Sequence, residues 1–132
     1  MSSWSISFAS AGRRLLPMHE LSIIASLFEA LESQAREHKA DRITRVVLRV
    51  GPLSGAVPEL LREAFDVYKK DTLAGTAEIE IIEPPVRVRC KACGAETEAR
   101  EFIFKCSSCD STDISLASGT ELYLERIELE TD

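Results

Sequence analysis

The spacing of apolar and polar positions divides the chain into segments of different period. Leu21, Ile24, Phe28, Leu31 and Ala35 recur at three- and four-residue intervals, with Glu29, Glu32, Arg36 and Lys39 mostly opposite. That spacing predicts an amphipathic helix over about 20–39, with His38 as a capping group near its end. Residues 43–50 switch to period two: Thr44, Val46, Leu48 and Val50 are expected to face the helix, and Arg45 and Arg49 to stay in water. Gly51-Pro52 ends this strand, and Ser54-Gly55 belongs to the turn beyond it. Pro58 suits the first turn of a second helix, with Glu59 favourable at its positive end and Leu61, Ala64, Phe65 and Tyr68 as its apolar stripe.

Residues 77–82 read as a strand halted by Pro84-Pro85, and residues 121–129 as another. In the latter, Leu122 and Leu124 share one face while Tyr123, Ile127 and Leu129 share the other, an irregularity that a bulge or an edge position would produce. The expected fold is therefore α+β: a three-stranded sheet packed by two helices, with a cysteine module inserted before the last strand. Leu21, Ile24, Phe28, Phe65 and Tyr68 are expected in the core. Residues 1–17 contain five serines and no sustained period, and are expected to be a disordered or misassigned extension. The α/β domain is placed at 18–89, its sheet completed by 120–130, and the cysteine module at 90–119.

The 132-residue length allows one primary core but no second core of any size, so the module needs another source of stability. All four cysteines fall in one window, as Cys90-x-x-Cys93 and Cys106-x-x-Cys109. Each pair curls the chain so that two sulfurs reach one ion, and the two pairs together complete a tetrahedron suited to structural zinc. Gly94 permits the tight exit from the first pair, while Ser107 and Ser108 keep the second compact. Between the pairs, Phe102, Ile103 and Phe104 are the only substantial hydrophobes, too few for independent folding. Zinc would supply the missing energy, about 10–16 kcal/mol for structural sites of this kind.

The competing reading of the cysteines is two redox dithiols or disulfides, but a redox pair belongs at a helix start after a strand, and this one follows Pro84-Pro85. A catalytic zinc needs an open position that four cysteines do not leave. Nucleic-acid binding is disfavoured by the formal net charge of −6 and by the balance within the module, where Lys91, Arg100 and Lys105 meet Glu96, Glu98 and Glu101. No apolar run approaches a membrane span, and Arg13 and Arg14 follow rather than precede the mildly apolar start, so cytoplasm is expected. Neither a nucleophile elbow nor a phosphate-binding glycine loop is present, and an enzyme is not expected.

Met18-His19-Glu20 precedes the first helix. Alone it reads as an exposed first turn, or as an imidazole ligand for nickel or copper. Together with Leu21-Ser22-Ile23, Val50-Gly51-Pro52-Leu53-Ser54-Gly55, Pro58-Glu59-Leu60, Ala64-Phe65 and the paired Cys-x-x-Cys module, it resembles the HypA/HybF hydrogenase maturation family from residue 18 to about 130. The resemblance implies a nickel metallochaperone with a nickel-binding α/β domain and a structural zinc domain. Such a protein works with the HypB GTPase to deliver nickel to the [NiFe]-hydrogenase large subunit, and in some organisms also serves urease maturation. By resemblance, His19 and Glu20 are the nickel residues, joined by the Met18 amine where the chain begins at Met18, and Cys90, Cys93, Cys106 and Cys109 are the zinc ligands. The alternative reading is a zinc-ribbon adaptor or nucleic-acid-binding factor without nickel delivery.

Overall fold

Helix α1 (Glu20–Glu37) buries a stripe wider than the minimal period requires: Ile23, Leu27 and Ala30 join Ile24, Phe28, Leu31 and Ala35 in the core. The computed structural model describes residues 2–7, 13–14, 20–99 and 103–131. In chain order its strands are β1 (Ser2–Ser7), β2 (Arg13–Arg14), β3 (Arg42–Val50), β4 (Glu78–Ile82), β5 (Arg87–Cys90), β6 (Glu96–Glu98), β7 (Ile114–Ser118) and β8 (Leu122–Thr131). Helix α2 (Pro58–Tyr68) lies between β3 and β4, with Pro58 in its first turn and Glu59 at its positive end. It serves as the crossover that lets β3 and β4 pair in parallel.

The α+β class and the inserted cysteine module are as expected, but the main sheet has five strands rather than three. Its order is β1-β8-β3-β4, with β2 also on β8. The two additional strands come from the segment expected to be disordered. Ser2–Ser7 runs antiparallel to Thr131–Arg126, setting Trp4 opposite Leu129 and Ile6 opposite Ile127 on the helix side. Ile6 packs against the core, and the Trp4 ring meets the His38 ring edge-on at 5.7 Å. Ser3, Ser5 and Ser7 alternate onto the exposed face. A bare edge of β8 would leave a row of backbone N–H and C=O groups without strand partners, and this short alternating segment satisfies them.

Two bulges settle the strand irregularities. The β3–β8 register passes from Ile43↔Leu129 to Arg45↔Glu128, so Thr44 has no cross-strand partner and Ile43, not Thr44, takes the core face. The Thr44 hydroxyl instead donates to the Glu128 carbonyl at 3.2 Å. The register then passes from Val47↔Arg126 to Leu48↔Leu124, leaving Glu125 as the extra residue of β8. This brings Leu122 and Leu124 to the same core as Ile127 and Leu129, leaving Tyr123 half-buried. Strand β8 is interior to the sheet, so the bulge, not an edge position, explains its pattern.

Two expected core residues lie outside it. Leu21 is 64% exposed, and Tyr68 is 44% exposed with its ring 4.7 Å from Phe28. Phe65 is fully buried, 5.6 Å from Phe28 between ring centres. The sheet face away from the helices is charged: Arg45 pairs with Glu80 at 2.6 Å, and Arg49 with Glu125 at 2.8 Å. Among the described residues no helix is long and apolar enough to cross a membrane.

Candidate metal centre

Strands β6, β5 and β7 form a second, three-stranded sheet whose central strand delivers Cys90 at its end. Of the hydrophobes between the pairs, Ile103 is 54% exposed and Phe104 is 42% exposed, and Phe102 lies outside the described residues. Val86, Val88 and Ala99 form the buried cluster instead, with Leu53 and Ile114 packed on it. Val88 lies on β5 between Arg87 and Arg89, both paired to Glu96, so strand alternation sends it alone into the small core.

Each cysteine pair forms the same backbone loop. After Cys93, Gly94 has φ 78° and its N–H bonds to the Cys90 carbonyl at 3.0 Å. After Cys109, Asp110 has φ 62° and its N–H bonds to the Cys106 carbonyl at 2.8 Å. The Cys90 N–H reaches the Ala95 carbonyl at 2.8 Å, and the Cys106 N–H the Ser111 carbonyl at 2.9 Å. Asp110 carries no cysteine-like or glycine signature of its own in the sequence. The signal was its position after the second pair, matching that of Gly94, and aspartate tolerates the left-handed conformation better than most residues. The Lys91 N–H bonds to the Asp113 carbonyl at 2.9 Å, holding the first loop to the chain beyond the second.

The four sulfurs converge. Cys90 and Cys109 are 3.6 Å apart, Cys93 and Cys106 also 3.6 Å, and all four lie within 4.8 Å of one another. Thiolates held at about 2.3 Å by a tetrahedral ion stand about 3.8 Å apart, so the group fits one sulfur-preferring ion without rearrangement. Backbone N–H groups already point at sulfur, from Cys93 to Cys90 and from Ser108 to Cys106, each at 3.4 Å. The Cys93 backbone N–H is the largest influence pulling the Cys90 thiol down to about 6. The Cys109 backbone N–H acts likewise to lower Cys106. Their partners rise: against the lowering pull of the Ser111 N–H, Cys109 reaches about 12 through its hydrogen bond with Cys90, partial desolvation and its contacts with Cys106 and Cys93, and against that of the Ala95 N–H, Cys93 rises through its bonds to Cys106 and Cys90. Each close pair thus sets a cysteine shifted toward the thiolate beside one shifted toward the thiol. Full ionisation of all four requires a cation among them.

The other candidate residues are not brought together here. Met18 and His19 lie outside the described residues, and Glu20 is described only through its backbone, which opens α1. His38 closes the other end of that helix, its Nδ1–H donating to the Gln34 carbonyl at 3.0 Å.

Residues 18–129 match the family model described as hydrogenase/urease nickel incorporation, metallochaperone, hypA. The hydrogenase maturation factor HypA of Aquifex aeolicus is 39% identical over 115 residues, covering 87% of this chain and all of the relative. That of Chlorobaculum tepidum is 42% identical over 113 residues, covering 86% and 100%. The solution structure of the nickel metallochaperone HypA from Helicobacter pylori superposes with a TM-score of 0.62 at 27% identity, covering 87% of this chain and 100% of that one. The chain belongs to the HypA family, whose members are metallochaperones and not enzymes.

Proposed function

We propose that this chain carries nickel(II) to the large subunit of [NiFe]-hydrogenase during maturation, acting with the HypB GTPase, and that urease maturation is a second destination. What supports the reading is the family match over residues 18–129, which spans both the α/β domain and the cysteine module. His19 and Glu20 are the proposed nickel residues, at the entrance to α1, with the Met18 amine joining them where the chain begins at Met18. Imidazole and nitrogen donors suit a tetragonal nickel(II) site. Nickel is cargo here and is passed on by ligand exchange, so its site has to release it.

The proposed occupant of Cys90, Cys93, Cys106 and Cys109 is a structural zinc ion. It would supply folding energy to a module with little apolar core, and four thiolates leave no position for reacting water. The proposed place of action is the cytoplasm, where these cysteines stay reduced.

Titration of the full chain against the HypB GTPase at low and raised salt tests the partner assignment, and association at either ionic strength is expected. No association at both would overturn it. Metal analysis of the parent and of Cys93→Ser tests zinc: one ion per chain is expected in the parent, with loss in the variant.

A further inference from the structure

The segment Val50-Gly51-Pro52-Leu53-Ser54-Gly55 marks the family resemblance but supplies no ligand to the cysteine cluster. Its path through the structure is specific. Val50 is buried in the main core, Leu53 packs on the small cluster of Val86, Val88 and Ala99, and Ala56 returns to pack against the main core. Leu53 is thus the one apolar side chain in the core of the cysteine module, among the described residues, that comes from outside residues 86–118; β5 opens that module's sheet three residues before the expected boundary at 90.

The backbone around it is locked. The Gly51 N–H bonds to the Glu121 carbonyl and the Leu53 N–H to the Gly119 carbonyl, both at 2.7 Å. A Cβ on Gly51 would stand 2.2 Å from the Gly119 oxygen and 2.8 Å from the Glu121 nitrogen, both backbone atoms that cannot swing away. Gly119 itself has φ 120°, and a Cβ there would meet Val86 at 3.0 Å. The chain crosses between the two sheets twice, at 83–86 and at 119–121, and the Ser118 hydroxyl ties these crossings together by donating to the Pro85 carbonyl at 2.8 Å. The turn after β3 therefore clasps both crossings rather than merely joining β3 to α2.

We infer that the Gly51–Gly55 turn is a staple between the two modules: Leu53 completes the core of the cysteine module, and the close Gly51–Gly119 approach fixes that module's orientation on the α/β domain. Leu53 acts as a positioning residue, through packing and without touching the metal. The module depends on its neighbour for one of five apolar side chains, so metal retention at the cysteines is coupled to a turn of the other domain. The inference deepens the proposed structural role of zinc and rests on that reading for its metal-retention part.

The test uses the full chain loaded with one zinc ion, in five forms: parent, Leu53→Ala, Leu53→Met, Gly51→Ala, and Leu116→Ala as a control on the exposed face of β7. Zinc release to a competing chelator is followed optically, and residual dipolar couplings report whether both modules share one alignment. Leu53→Ala is expected to release zinc roughly tenfold faster, with the two modules no longer aligning as one body. Leu53→Met and Leu116→Ala should stay near the parent. Gly51→Ala should separate the modules more severely, and Leu53→Ala keeps the test decisive if that variant fails to fold. Parental release and a single shared alignment in Leu53→Ala would overturn the inference. A parent that takes up no zinc would refute the zinc reading instead, and the alignment data would still judge the staple.

Discussion

Loading the cysteine module with zinc at pH 7 should displace protons in a number set by how the four thiols share charge. The Cys90 thiol, pulled down to about 6, is only about one-tenth protonated at that pH. Cys109, raised to about 12, and Cys93, raised above its ordinary value, both keep their protons, while Cys106 is shifted toward the thiolate. Zinc requires four thiolates, so binding must expel the protons of Cys93 and Cys109, a small fraction from Cys90 and whatever Cys106 still holds, giving between about two and three in total. Affinity consequently rises with pH, by at least about a hundredfold per unit around neutrality where two or more protons leave. It rises more steeply below about pH 6, where Cys90 has also become protonated. Calorimetric zinc titrations in buffers of different ionisation enthalpy measure the number directly. A release near four at pH 7 would mean ordinary, independent thiols, and a release near zero would mean that no thiol retains a proton. Either result would refute the paired thiol–thiolate arrangement drawn from the two 3.6 Å sulfur contacts.

Two further predictions concern the α/β domain. Phe65→Ala empties a fully buried site against Phe28 and should cost about 3–5 kcal/mol in denaturant unfolding of the zinc-loaded chain. A loss below about 1 kcal/mol would contradict the packing described. His38→Ala removes the ring against Trp4, the sole tryptophan, and should shift its fluorescence to the red as the indole gains water. An unchanged spectrum would show that β1 does not seat Trp4 on the end of α1.

The helices were readable because their stripes are local, and α1 and α2 lie where the period placed them. What period could not show was which residue a bulge would skip. Thr44 and Ile43 compete for the same core position, and the pairing of β3 with a strand some eighty residues later decides for Ile43. The serines of β1 hid a real alternation, Ser3-Trp4-Ser5-Ile6-Ser7, whose partner Arg126–Thr131 lies at the far end of the chain. A strand so short gains its order from the edge it covers, not from its own composition. In the cysteine module the ligand spacing announced the metal cluster, since four sulfurs in two Cys-x-x-Cys pairs leave little freedom. The small core was not legible, because the residues that form it among the described ones are single apolar positions scattered over Val86, Val88, Ala99, Ile114 and the turn at Leu53, while Ile103 and Phe104, conspicuous in the sequence, stay exposed.

The central claim is nickel carriage at the residues before α1, and calorimetric nickel titration tests it most directly. The proteins compared are the full 132-residue chain, the chain starting at Met18, and each with His19→Ala, with zinc content followed in parallel. In the form starting at Met18, the free amine, the His19 backbone nitrogen and its imidazole can close small chelate rings on one square-planar ion. That amine titrates near a pKa of about 8, so binding should tighten as pH rises from about 6 to 8. The account predicts tight one-to-one binding by this form, weaker binding by the full chain, and loss of the site in both on His19→Ala with zinc at the cysteines retained. Nickel affinity unchanged by removal of His19 would contradict it.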